Sequence, residues 1–454
     1  MMQSTYLFLV SLTLITTAGA APIPETSPNP QIAAVVKEIS AKNIEASIRK
    51  LVSFGTRHTL SDTTSETRGI GAARRWLQAE FTRYSKDSGG RLQVTMDEFT
   101  QPPGERNPEL TQLVNVVATL PGEQPEARDR MYVVTGHYDS RVSDPMNATA
   151  DAPGANDDAS GVAAVLEMAR VMSKKKWDAT LVFIAVAGEE QGLYGSTHWA
   201  RQAKEKHWNV AGMITNDIIG SSHAEDGRVD DTHVRLFAEG VPPLREMPDA
   251  WRQQIKTGGE NDSAPRELAR FIKTMGERYV PGMTVNIIYR KDRYLRGGDH
   301  SPFLEAGFPA VRMTEPNEDF RHQHQDIRKE NGVQFGDLPE FDDFNYIAQV
   351  ARINAASLGA LALAPAAPTG VEIEAKELTN DTTLHWKPNK EPDLAGYEVL
   401  WRETTAPLWQ EGVAAGNVTR FTVKVSKDNS IFGVAAVDKE GNRSPAVYPA
   451  PAAK

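Results

Sequence analysis

Between residues 115 and 187, apolar β-branched runs (NVVATL at 115–120, MYVVT at 131–135, LVFIAVA at 181–187) are interrupted by one helix-patterned segment, VAAVLEMARVM at 162–172. That alternation predicts an α/β domain with a mixed, mainly parallel central sheet flanked by helices. Further strands are expected near 213–216, 285–289 and 309–313, and a closing helix from Phe341 to Leu363, which starts just past Pro339. Residues 221–281 are polar and weakly periodic and read as an insertion over one edge of the core. Residues 364–370, rich in alanine and proline, read as a linker. In 371–454 the pattern shortens to alternating runs (Tyr397, Val399, Trp401; Phe421, Val423, Val425; Phe432, Val434, Ala436) separated by turn residues, which predicts a small all-β sandwich.

The first residues have the pattern of an export signal. Leu7 to Ile15 is mostly apolar and Ala18, Gly19 and Ala20 follow, so residues 1–20 read as a cleavable signal peptide, although no lysine or arginine precedes the apolar run. The run is shorter than the ~20 residues a bilayer requires, so no stable membrane insertion is expected after cleavage. Residues 21–30, APIPETSPNP, read as a flexible leader, with the folded domain occupying 31–363. The chain has no cysteine, so an exported form, secreted or periplasmic, rests on core burial and metal rather than disulfides. A formal charge of −10 with no basic cluster opposes nucleic-acid binding.

Five polar clusters lie at or just past apolar runs, where open α/β sheets place their ligand sites. GHYDS follows MYVVT and offers His137 as a metal ligand, with Asp139, on the same face at period two, able to take the other imidazole N–H. GANDDASG places Asp157 and Asp158 before a helix, where capping would need only one of them; a carboxylate has two oxygens, and Asp157 is the candidate to bridge two cations. AGEEQG follows LVFIAVA, with Glu190 the candidate ligand and Glu189 the candidate general base for a metal-activated water. Asp217 in TNDIIG ends another apolar run, and RHQHQD offers His322 or His324. Imidazole and carboxylate are what zinc accepts when no thiolate exists. Alone, each cluster also suits a cap, a turn or a solvated loop; their repetition at strand ends points to one metal site.

On these motifs residues 31–363 resemble the aminopeptidase Y family of di-zinc exopeptidases, which are leucine aminopeptidase-like members of the zinc peptidase superfamily. The resemblance implies two zinc ions per chain, one held by His137 and Asp217, the other by Glu190 and His322, and both bridged by Asp157. It also implies Glu189 as base, Asp139 as support for His137, and a cis peptide between Asp157 and Asp158. His322 is preferred over His324 because aspartate, Asp326, follows four residues later. RGGDHSPFLEAGFPAV, with Asp299 and His300, resembles a family landmark near the substrate cleft, whereas Phe320 and Arg321 stand where relatives often carry a tyrosine that helps polarise the scissile carbonyl. Arg321 and Tyr294 are then the candidates for that task. The segment from Pro368, with Trp386, PDLAGYEVLW and VAAVDKEGNRSPA, resembles a fibronectin type III domain, whose expected part is docking to a surface or polymer. The implied activity is a secreted aminopeptidase acting on peptides with a free N-terminus. The alternatives are a carboxypeptidase that uses arginines such as Arg290, Arg293 and Arg296 as a carboxylate clamp, a glutaminyl cyclase, and a metal-dependent binding protein.

Overall fold

The computed structural model describes residues 27–242 and 247–452, so the signal peptide and most of the leader expected at 1–30 lie outside the described residues. Asn29, at the leader's end, caps the first helix through its side chain, and its backbone N–H donates to the Tyr279 hydroxyl at 2.6 Å.

Three helices come first: α1 (Pro30–Glu38), α2 (Ala41–Val52) and α3 (Gly69–Asp87). Strands β1 (Gln93–Gln101), β2 (Thr111–Leu120) and β3 (Arg130–His137) follow, then α4 (Gly161–Met172), β4 (Thr180–Val186), α5 (Glu189–Gly192), α6 (Tyr194–Glu205) and β5 (Asn209–Asn216). The domain closes with β6 (His233–Ala238), α7 (Asp249–Lys256), α8 (Ala264–Tyr279), β7 (Thr284–Ile288), α9 (His300–Ala306), β8 (Ala310–Thr314) and α10 (Phe344–Leu363). The eight strands form one sheet in the order β1-β2-β4-β3-β5-β8-β6-β7. Its centre, β4-β3-β5-β8, is parallel, while β1-β2, β2-β4 and β6-β8 are antiparallel. The mixed sheet flanked by helices is the architecture the alternating pattern calls for.

The central strands are buried along most of their length, and β4 at every residue, because helices cover the sheet. Helix α4 buries all of Gly161 to Met172 except Arg170, and α10, which is apolar almost throughout, packs against α1, α2, α4 and α8. Gly136 and Gly161 permit the closest approach: a Cβ on Gly136 would lie 2.6 Å from the Gly161 carbonyl carbon, and one on Gly161 would lie 2.2 Å from the Asn216 carbonyl oxygen. Any side chain there would push the start of α4 away from the ends of β3 and β5, where the polar clusters sit.

One expectation is corrected. Residues 221–281 are not an insertion over the edge: β6 pairs with β8 and β7 inside the sheet, and α8 buries Leu268, Ala269, Phe271 and Ile272 in the main core.

Beyond α10 the chain forms a second unit of seven strands. A sheet of four (Arg420–Val423, Thr382–Lys387, Thr369–Ile373, Ala450–Pro451) faces a sheet of three (Glu411–Gly416, Leu394–Glu403, Ser430–Asp438). Between them lies a separate core of Val371, Leu384, Trp386, Tyr397, Val399, Trp401, Phe432 and Val434. The segment expected to be a linker is tied down near its start, with Arg130 donating to the Ala364 carbonyl and Asn389 to that of Ala366, and its last two residues, Thr369 and Gly370, open a strand of the next unit. Among the described residues no helix is long and apolar enough to cross a membrane.

Candidate metal centre

Four parallel strands end at one edge of the sheet, and the candidate residues gather there. His137 is the last residue of β3, Asp217 follows β5 directly, and Glu189 and Glu190 open the short α5 two residues past β4. Gly188, in the left-handed region at φ 71°, reverses the chain so that α5 starts beside the strand end. Asp157 and Asp158 sit in the irregular turn before α4, and their peptide bond is cis.

Two triads result. His137, Asp157 and Asp217 form one; Asp157, Glu190 and His324 form the other. Asp157 belongs to both because its two oxygens face opposite ways, Oδ1 lying 3.1 Å from His137 Nε2 and Oδ2 lying 2.8 Å from His324 Nε2. His324 Nε2 is also 3.1 Å from Glu190 Oε1, and His137 Nε2 is 4.0 Å from Asp217 Oδ1. Two ligands on a tetrahedral zinc at bonds of ~2.0–2.1 Å lie about 3.3 Å from one another, so the donor set has the type and spacing such an ion takes.

The histidine assignment made from sequence is corrected. His322 is not in either triad: its ring stacks on Phe341, with centroids 3.7 Å apart, and its Nδ1 lies 3.8 Å from Asp319. Residues 319–324 form a tight turn, and His324, at φ 55°, carries the left-handed backbone that swings its ring toward Asp157 and Glu190. Asp326 bonds Ser143 instead and fixes the loop.

Asp139 stands beside the His137 ring, as expected, and also holds a neighbouring turn. Its carboxylate stands 3.6 Å from His137 Nδ1, whereas its own backbone carbonyl is closer, at 3.2 Å. The carboxylate instead accepts the backbone N–H groups of Glu189 and Glu190, at 3.2 and 3.0 Å, and the Thr59 hydroxyl. Asp139 therefore positions both the imidazole and the acidic turn.

The electrostatics are those of a surplus of buried carboxylates. Burial raises the pKa of Glu189 well above the usual carboxyl range; His137 opposes the shift, and Asp217, Glu190 and Asp299 add to it. Among the described residues no donor engages the Glu189 carboxylate. Burial works against a charged His137, yet Glu189, Asp139 and Asp157 outweigh it and hold the imidazole pKa well above normal. Burial also raises Asp158, whose carboxylate accepts the His137 and Gly161 backbone N–H groups and so binds β3 to α4.

Several supporting residues carry no motif. Asp337 accepts the backbone N–H groups of Asn156 and Asp157 at 2.8 and 2.7 Å. Arg57, fully buried, donates to the carbonyls of Tyr138, Pro153 and Gly154. Arg312, also fully buried, pairs with Asp217 at 2.9 Å and Asp292 at 3.1 Å, which supplies the partner a buried aspartate requires. Arg321 is committed to Asp319 and the Glu225 carbonyl, and Tyr294 is 78% exposed beneath Arg290, so neither joins the triads.

Residues 115–333 match the model of peptidase family M28. A protein of Leptosphaeria maculans described as a "probable zinc metalloprotease" is 53% identical over 426 residues, covering 94% of this chain and 98% of its own. Among solved structures, LapB from Legionella pneumophila superposes with a TM-score of 0.53 at 18% identity, over 75% of this chain and 78% of its own. The LapA aminopeptidase of the same organism gives 0.51 at 18%, over 74% and 76%. At such identities these two show a shared fold.

Proposed function

This chain belongs to peptidase family M28, and on that premise we propose that it is a secreted, zinc-dependent aminopeptidase that removes N-terminal residues from peptides. The observation that carries this reading is Asp157, whose two oxygens reach His137 and His324 on opposite sides, beside a Glu189 whose carboxylate no donor engages among the described residues. His137, Asp157 and Asp217 would hold one ion, and Asp157, Glu190 and His324 the other. Bound zinc supplies a Lewis acid that polarises a carbonyl and makes water nucleophilic near neutral pH. The description of the Leptosphaeria maculans relative supports zinc as the metal.

Glu189 is the proton carrier: its carboxylate oxygen takes the proton from the attacking water and passes it to the nitrogen of the leaving peptide. Asp139 holds the base in place through the amides of the Glu189–Glu190 turn. The excess of acidic groups suits a substrate that brings a free α-ammonium. A carboxypeptidase would need unneutralised cations instead, yet Arg293 and Arg296 both pair with Glu318. We read the C-terminal sandwich as a fibronectin type III module and residues 1–20 as the signal for export.

The test is to incubate zinc-loaded protein with free and end-blocked peptides and identify products by mass spectrometry. Loss of single N-terminal residues from free peptides alone is the expected result. Loss from the C-terminus, or a pyroglutamate product, would reject aminopeptidase action.

A further inference from the structure

Arg141 lies just past the His137–Ser140 segment, and its guanidinium meets the outer faces of two candidate ligands at once. Nε donates to Glu190 Oε2 at 2.9 Å and Nη2 to His324 Nδ1 at 2.5 Å, while Nη1 donates to the Val142 carbonyl at 3.2 Å. On their inner faces the same two side chains converge with Asp157, His324 Nε2 lying 3.1 Å from Glu190 Oε1 and 2.8 Å from Asp157 Oδ2.

A guanidinium has donors only and keeps its charge, so its contact with Nδ1 requires a lone pair on that nitrogen. The ring proton then sits on Nε2 and points between Asp157 and Glu190. An ion held there needs the Nε2 lone pair, and a neutral imidazole then carries its proton on Nδ1, donor against donor with Arg141. The two arrangements exclude one another. His137 has the opposite setting: its Nδ1 faces the Asp139 carbonyl at 3.2 Å, an acceptor that places the proton on Nδ1 and leaves Nε2 free for an ion.

We propose that Arg141 is a tethered cation that competes with the ion held by Asp157, Glu190 and His324, so that the His137 position fills first and the His324 position fills only as Arg141 gives way. This rests on reading the five residues as metal ligands. Arg141 is a positioning residue in this scheme, and its side chain, 15% exposed, lies close enough to solvent to turn aside.

The test counts metal without relying on turnover. Protein stripped with a chelator is titrated with zinc buffered by a competing chelator, and bound zinc per chain is measured by plasma mass spectrometry. Two steps are expected. In Arg141→Met, which keeps the length of the side chain and removes its donors, the second step should fall at on the order of tenfold lower free zinc, the worth of one charged hydrogen bond, with the first unmoved. Arg141→Lys, which keeps charge without the planar fork, should fall between the two and guards against a misfolded methionine variant. Coincident second steps, a second step moved to higher zinc in Arg141→Met, or a single step in every protein would overturn the proposal. Two steps indifferent to Arg141 remove this inference alone; a protein that takes up no zinc removes the proposed function with it.

Discussion

Two positions separate His322 from His324, and the backbone between them turns rather than extends, so the alternation that would put both rings on one face does not apply. His324→Ala should therefore lose one zinc per chain and most activity. His322→Ala should keep its zinc and lose only the Phe341 stacking, about 0.5–1.5 kcal/mol by urea unfolding. Metal content reverses the assignment if the outcomes are exchanged. Glu189→Gln should retain both ions and lose roughly 10²–10⁴-fold in kcat, the range a general base contributes; full turnover in that variant would remove Glu189 from the mechanism. His137, Asp157, Glu189, Glu190 and Asp217 were legible because strand ends in an α/β sheet converge at one edge, so residues placed there by pattern alone meet in space. The choice of His324 over His322 was not legible because its left-handed backbone is borne by a histidine with no glycine to mark it. Arg57, Arg141, Arg312 and Asp337 were equally hidden, since each acts on residues far along the chain and none sits in a recurring motif.

At the scale of elements, long apolar runs announced β2, β3, β4 and α4 because burial on both faces leaves little room for polar residues. The region of β6 and α8 was misread for the converse reason. Helix α8 carries Arg266, Glu267 and Arg270 among its buried residues; Glu267 and Arg270 pair with each other and touch the C-terminal unit, Arg266 bonds Asn261 and the Glu260 carbonyl, and these charges make a core helix look like a polar surface one. A similar burial gives α9 a pH signature. His300, its first residue, is fully buried, donates one hydrogen bond from Nε2 to the Lys291 carbonyl, and lies 3.7 Å from Asp292. Burial pushes its pKa down to about 4; Asp292 opposes the shift and Arg312 adds to it. The folded state thus disfavours the proton that the unfolded chain accepts near pH 6.5. This contribution to stability is complete above pH 6.5 and is lost as the pH falls toward 4, by at most ~3 kcal/mol. Urea unfolding of wild type and His300→Gln from pH 7.5 to 4 should show the wild type losing more stability over that window. Parallel curves would mean that His300 charges freely in the folded protein.

In the whole molecule, the β-sandwich is joined to the α/β domain by buried charge rather than by a free tether. Asp262 accepts two hydrogen bonds from Arg402 Nη2 at 2.7 and 3.0 Å and one from Arg270 at 3.1 Å, with all three side chains at most 3% exposed. Glu267 accepts the Trp409 indole N–H at 3.0 Å, and Arg130 pairs with Glu391 at 3.1 Å. The Leptosphaeria maculans match spans 94% of the chain, so it extends from the α/β domain into the sandwich. Charges taken out of water demand their partners: removing one side of such a pair costs ~3–5 kcal/mol, whereas an exposed pair is worth ~0–1 kcal/mol. Arg402→Ala should therefore destabilise the full-length protein by about 3 kcal/mol, Arg270 retaining part of the compensation for Asp262. Arg420→Ala, which breaks the exposed pair with Glu374 inside the sandwich, should cost less than about 1 kcal/mol. Calorimetry of the intact chain should show one transition for both units, because separating them would take Arg402 from Asp262 and Trp409 from Glu267, leaving Arg270 alone to both carboxylates, and would part Arg130 from Glu391 before either core had melted. Two transitions that Arg402→Ala leaves unmoved would show instead that the sandwich unfolds on its own and that the buried charges are satisfied within each unit.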